Sequence, residues 1–218
     1  MLTVICSLII LAPTQFARSQ TSNTAVSVTP AVNSVQIGKT LTVNITINNV
    51  QNLYGLDLTL DWNNSALQIV KNEPLLGVEL HPSGILYGDH ISYDINSFAP
   101  GDVIITQDTA SQETGEFHIV AASSSPSPSF NGSGIVATLT FNVTSVGHSG
   151  LNLSGQLADH PLSGDNSQEI SAEYKTGSVD AVIPEFPQVT LLVILIALVT
   201  ISVLFSKKLL KKKRSETQ

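Results

Sequence analysis

Leu53-Tyr54-Gly55-Leu56-Asp57-Leu58-Thr59-Leu60-Asp61-Trp62 is the stretch that decides the fold. Tyr54, Leu56, Leu58, Leu60 and Trp62 alternate with Gly55, Asp57, Thr59 and Asp61. Successive side chains of a strand point to opposite faces, so this pattern gives one dry face and one wet face. The same period of two returns in Leu41, Val43, Ile45 and Ile47, in Phe117, Ile119 and Ala121, and in Leu139, Phe141 and Val143. No helical period competes with it between residues 25 and 182.

Turn chemistry separates the runs. Asn48-Asn49, Asn63-Asn64, Pro82-Ser83-Gly84, Pro100-Gly101-Asp102, Asn131-Gly132 and Gly147 to Gly150 are the breaks expected on this pattern. Ser123 to Ser129, with Pro126 and Pro128, reads as an exposed loop because proline cannot pair within a central strand. Strands with one wet face bury the other by packing two sheets together. The expectation is an all-β domain over 25–182, a sandwich of about nine antiparallel strands with jelly-roll-like connections.

The charge is unevenly placed. The chain of 218 residues carries a formal −7, from 10 Lys and Arg against 17 Asp and Glu. Six of the basic residues are Lys207, Lys208, Lys211, Lys212, Lys213 and Arg214. Residues 20–187 hold Lys39, Lys71 and Lys175 against 16 acids, a local −13. A body this acidic repels phosphate, which excludes nucleic acid as the expected partner.

Both ends speak of export. Residues 1–19 read as a signal peptide: a short apolar run, then Ala17-Arg18-Ser19 with small residues flanking a cleavage site, although no basic residue precedes the run. The other reading of that run is a buried N-terminal strand. The one cysteine, Cys6, lies within it, so the mature chain would have neither a disulfide nor a thiol nucleophile. Val189 to Phe205 is uncharged for 17 residues. At helical rise it covers about 26 Å, against a hydrocarbon core of about 30 Å, and snorkelling lysines make up the difference. Residues 189–206 are thus the expected transmembrane helix and 207–218 a basic tail, placed in the cytoplasm with the body outside. Residues 183–188 form a Pro-rich spacer. Pro184-Glu185-Phe186, the apolar run and the basic cluster together resemble the C-terminal sorting signals of archaeal surface proteins. In those families a membrane transpeptidase recognises the tail; here Pro187 stands where one of them has Gly, and the prolines also fit a stiff spacer.

The body resembles a cohesin domain. Gly38-Lys39-Thr40-Leu41-Thr42-Val43-Asn44-Ile45, the stretch from Leu53 to Asn63, and Ala66-Leu67-Gln68-Ile69-Val70 follow the order of that family's opening strands. Gly134-Ile135-Val136-Ala137-Thr138-Leu139-Thr140-Phe141-Asn142-Val143, Gly150-Leu151-Asn152-Leu153, Leu157-Ala158-Asp159 and Gly177-Ser178-Val179 continue it. The resemblance implies a non-catalytic module that docks dockerins, small calcium-loaded domains borne by glycan-degrading enzymes. The calcium belongs to the dockerin, so no metal and no cofactor are expected in this chain. The family's third strand presents an Asn and, two residues on, an Asp to the dockerin; here those positions hold Gly55 and Asp57. A carbohydrate-binding module of the same fold, tethering the cell to polysaccharide, is the alternative, and a structural surface-layer component a third.

Asp57, Thr59 and Asp61 share the wet face of one strand, and Glu116 and His118 that of another, which the family places beside it. These five are the candidate partner-binding residues, against ordinary solvated strand polarity. Trp62 and Tyr54 fall in register with the leucines and read as core, while Tyr87 and Tyr93 are the aromatics left for a glycan. Asn44, Asn63, Asn131, Asn142 and Asn152 head glycosylation sequons. Asn44 and Asn142 fall on strands that the family pairs opposite the dockerin face, and Asn152 on the Asp57 sheet. For catalysis the chain has no nucleophile elbow and no phosphate loop, and its five histidines lack metal-ligand spacing, so no catalytic residue is assigned.

Overall fold

The computed structural model describes residues 24–161, 166–183 and 188–215, and within the last of these the side chains of 192–205. The expected signal peptide 1–19 and most of the spacer 183–188 lie outside the described residues. Eleven strands and one helix are described: β1 (Ala25–Thr29), β2 (Val32–Gln36), β3 (Thr40–Asp61), β4 (Leu67–Pro74), β5 (Ile91–Ser92), β6 (Val103–Ser111), β7 (Glu116–Ser123), β8 (Phe130–Val143), β9 (Gly147–Asp159), β10 (Glu173–Lys175), β11 (Gly177–Val182) and α1 (Gln188–Ser215).

The long strand β3 serves both layers. Its first half pairs with β1 and β8, and β8 with β4, which gives one layer in the order β10-β1-β3-β8-β4. Its second half pairs with β9 and β7, giving the other layer in the order β2-β11-β9-β3-β7-β6-β5. The crossing lies at Asn49 and Asn52, whose φ values are 55° and 59°. Asparagine tolerates this left-handed backbone, and the ladder to β8 shifts register on either side of Val50. The Asn48-Asn49 pair therefore bends a continuous strand where a chain-reversing turn was expected.

Phe117, Phe141, Ile45, Ile47, Leu58, Leu60 and Leu67 fill the space between the layers. Each belongs to the dry register of its strand, as the alternation requires.

Several expectations need correction. The strands number eleven, where about nine were expected. The additions include β2, β5 and β10, which have five, two and three residues, too few to show a period. These edge strands pair in parallel, β2 with β11, β5 with β6 and β10 with β1, so the sheets are not purely antiparallel. Asn131-Gly132 and Gly147 to Gly150 lie inside β8 and β9 and do not form turns. The serine loop is partly buried: Ser124 and Ser127 hydroxyls donate to the Ala99 and Gly101 carbonyl oxygens at 3.2 and 3.0 Å, tying it to the loop before β6.

The side chains of 192–205 in α1 are exposed. Among the described residues no helix is long and apolar enough to cross a membrane. Positions 189–191 and 206 of the expected span fall outside the described side chains.

Candidate partner-binding face

Strands β9, β3 and β7 run side by side, and their outward positions form four rows. Gln156, Asp57 and Val120 are direct cross-strand neighbours, as are Ser154, Thr59 and His118, and Asn152, Asp61 and Glu116. The row beyond Asp57 is Ala158, Gly55 and Ala122. β6 adds Ile104, Gln107, Thr109 and Ser111 at the β7 end of the four rows. The inward positions between them, Leu56, Leu58, Leu60, Phe117, Ile119 and Leu157, are buried, which holds the face flat and in register.

The face is graded along the strands. At one end the side chains are small and apolar. At the other, Asp61 and Glu116 stand directly opposite each other, two carboxylates on adjacent strands. Like charges so placed repel, which costs the sheet stability. His118 lies diagonal to Asp57, with Nε2 at 2.9 Å from Oδ1, so it engages Asp57 in a hydrogen bond and leaves the Asp61–Glu116 pair without such a partner. No Lys or Arg is paired with any of these acids among the described residues.

All five candidate residues thus meet on one outward surface, as expected. Contributors from two further segments were missed. Gln156 and Ala158 come from β9, whose wet register Asn152, Ser154, Gln156, Ala158 was open to the same alternation argument. Glu169 is carried to the edge of β9 by its bridge with Ala158, which nothing local in the sequence marks. Tyr174, on β10, senses the face: its hydroxyl is pushed up to about 12, by burial first, then by Glu169 and Asp57.

The aromatic residues divide. Trp62 is core, edge-on to Phe141 with ring centroids 5.1 Å apart. Tyr54 is not. The ladder to β9 skips it between Leu53 and Gly55, so the bulge turns it out of the leucine register, and its ring meets His160 at 4.2 Å. Tyr87 leans on the core and on Phe130, whereas Tyr93 is 65% exposed, with Phe98 at 44% in the same loop.

The sequons divide as well. Asn44 and Asn142 lie on the layer of β1, β8 and β4, and Asn44 Oδ1 accepts the Thr138 hydroxyl at 2.9 Å. Asn152 sits in the acidic row beside Asp61. Asn63 lies two residues past the end of β3 and Asn131 is the second residue of β8, and their side-chain oxygens accept the Ser65 and Asn52 amides at 3.0 and 2.8 Å.

Among the described residues no cluster of His, Cys, Asp and Glu could hold a metal ion.

A model of the cohesin domain family matches residues 26–181. Among solved structures, the seventh ScaB type I cohesin of Pseudobacteroides cellulosolvens is 20% identical, with a TM-score of 0.50 over 75% of this chain and 94% of that one. The Coh-OlpA-Doc918 type I cohesin–dockerin complex of Clostridium thermocellum is 10% identical, with a TM-score of 0.50 over 73% and 99%. The Coh-OlpC-Doc435 complex of the same organism is 14% identical, with a TM-score of 0.50 over 76% and 99%. At such identities the likeness is one of fold. No curated protein sequence matches.

Proposed function

The chain belongs to the cohesin family, and from that premise we propose that it is a non-catalytic module that holds dockerin-bearing, glycan-degrading proteins at the outer surface of a cell membrane. The observation that carries the docking part is the four-row face of β9, β3 and β7, a flat, regular and largely uncovered surface with an acidic end. The cohesin–dockerin complexes among the similar structures support dockerin as the partner. Asp57, Thr59, Asp61, Glu116 and His118 supply hydrogen bonds and charge, and calcium is brought by the dockerin.

The membrane part rests on sequence. The uncharged run within 189–206 and the basic cluster from Lys207 support a single-pass anchor with its tail in the cytoplasm, and residues 1–19 support export. N-linked glycans on Asn44 and Asn142 would then clothe the layer that faces away from Asp57 and leave the docking surface open.

A second reading, carbohydrate binding, is favoured by one observation, the exposure of Tyr93 and Phe98 in the loop between β5 and β6. A glycan array separates the two: docking predicts no retained glycan and binding of isolated calcium-loaded dockerins, and carbohydrate binding predicts the reverse.

A further inference from the structure

One edge of the sandwich is left unguarded. Among the described residues the two layers end on β4, β10, β5 and β2. A bare edge is a template for another strand unless something blunts it. β4 is blunted: the Gln112 side-chain oxygen accepts the Ile69 N–H at 2.8 Å, a bulge follows between Ile69 and Lys71, and the strand ends in Pro74. β10 has three residues with a charge at either end, Glu173 and Lys175, and β5 has two. β2, Val32-Asn33-Ser34-Val35-Gln36, has five residues, with neither a charge nor a proline. Its ladder to β11 runs without a bulge, and Val32 is 72% exposed.

The directions of its backbone groups follow from two bonds. Ser178 N–H donates to Ala31 O at 2.7 Å, and Ile37 N–H to Val182 O at 3.0 Å, so residues 31 and 37 turn their peptide groups toward β11. These groups alternate between the two sides of a strand, so Asn33 and Val35 face β11 as well. The N–H and C=O of Val32, Ser34 and Gln36 therefore face the open edge, where Gln36 O also accepts the Lys39 amide at 3.1 Å.

These three residues are symmetric about Ser34. An identical strand laid antiparallel sets Ser34 against Ser34 and Val32 against Gln36, each as a hydrogen-bonded pair. The uncharged strand lets two acidic bodies meet without opposing carboxylates. The acid on the adjoining strand is Asp180, the cross-strand neighbour of Ser34, and its carboxylate is bonded to His148 Nδ1 at 2.9 Å. In such a pair the two Asp180 residues stand three strand spacings apart, about 14 Å, beyond a Debye length of about 8 Å.

We propose that β2 pairs with β2 of a second copy, joining two β2-to-β5 layers into one continuous sheet about a two-fold axis. The axis is normal to the sheet, so both β9-β3-β7 faces look the same way and stay uncovered. The two Val182 residues, each the neighbour of a Gln36, come to lie roughly 20 Å apart. The contact is small, so the pair is weak in dilute solution and gains from whatever holds the chains on one surface. The inference is independent of what the faces bind.

Two experiments on the full chain in liposomes test it. In the first, Ser34→Cys and Thr42→Cys are compared under a mild oxidant, both with Cys6→Ser. Thr42 is exposed on the other layer. The Cα atoms of a hydrogen-bonded antiparallel pair are about 5.5 Å apart, within reach of a disulfide. The expected result is disulfide-linked dimers from Ser34→Cys in large excess over Thr42→Cys; equal yields overturn the pairing. In the second, amide hydrogen exchange at Val32 and Ser34 is followed at low and high protein density in the native chain and in Ser34→Lys. The Ser34 side chain is exposed, so the lysine leaves the fold intact and sets two like charges face to face. Exchange slowed about tenfold at high density, in the native chain alone, is expected. No slowing, or equal slowing in Ser34→Lys, overturns the proposal. Slowing without Ser34→Cys dimers would mean that a different strand occupies the edge, and overturns self-pairing.

Discussion

His118 Nε2 and Asp57 Oδ1 lie 2.9 Å apart on the diagonal between β7 and β3, an imidazole N–H donating to a carboxylate. Both side chains are solvated, so the pair adds little to stability, about 0–1 kcal/mol. Its consequence is positional: it fixes the Asp57 carboxylate at the centre of the face.

Asp57→Ala is expected to weaken dockerin binding by about tenfold or more, and His118→Ala by less, while the melting temperature stays nearly constant. A double-mutant cycle by calorimetry checks this, and a non-zero coupling energy between the two sites is the expected outcome.

Gly155 supports the same residue from beneath. Its φ is 149°, and a Cβ there would overlap the Asp57 carbonyl oxygen. Gly155→Ala is expected to cost about 1–3 kcal/mol and to lower dockerin affinity by shifting Asp57. Denaturant unfolding and binding measured on the same sample check both effects.

The alternation around Leu56, Leu58 and Leu60 shows why so much of this was legible. A period of two needs no long-range information, so the core and the sharing of one face by Asp57, Thr59 and Asp61 follow from it directly. Tyr54 shows the limit. Its register is broken by a bulge that depends on β9, a hundred residues on in the chain. The same holds for Asn49 and Asn52: their composition announces a change of direction, and only pairing with β8 decides between a turn and a bend. Glu169 reaches the face through backbone bonds to β9, which leave no pattern in its own neighbourhood.

Trp62 is buried with its Nε1 unpaired, alone in this among the described residues. Trp62→Ala removes a large core ring and is expected to cost about 3–5 kcal/mol. Trp62→Phe deletes the orphan donor together with part of the ring, so its cost is expected to be well below that of the alanine. Urea denaturation of both variants checks the order.

Asp108 faces the inside of the sandwich edge beside Ile119. Burial raises its carboxyl above the usual range, against the lowering effect of the Asn72 side-chain amide at 2.8 Å. A carboxyl raised on folding binds its proton more readily in the folded state, so stability falls as pH rises from its unfolded pKa through its folded one. Asp108→Asn is expected to raise the melting temperature at neutral pH and to leave it unchanged well below pH 4, where aspartate is protonated in both states. Thermal melts across that range check the sign.

Sequon occupancy is expected at Asn44 and Asn142 in material from the native host, with Asn152 unmodified. Site mapping by mass spectrometry checks this. A glycan on Asn152 and none on Asn44 would contradict the shielding arrangement, because Asn152 stands beside Asp61.

The central claim is that the face of β9, β3 and β7 docks a dockerin. The most direct measurement is calorimetric titration of the full-length chain with calcium-loaded dockerins encoded in the same genome, in parallel with an Asp57→Ala, Asp61→Ala double variant. Saturable binding to the native chain, abolished by chelating calcium and strongly weakened in the variant, is the predicted result. No binding to any such dockerin, or equal binding to the variant, would contradict the account.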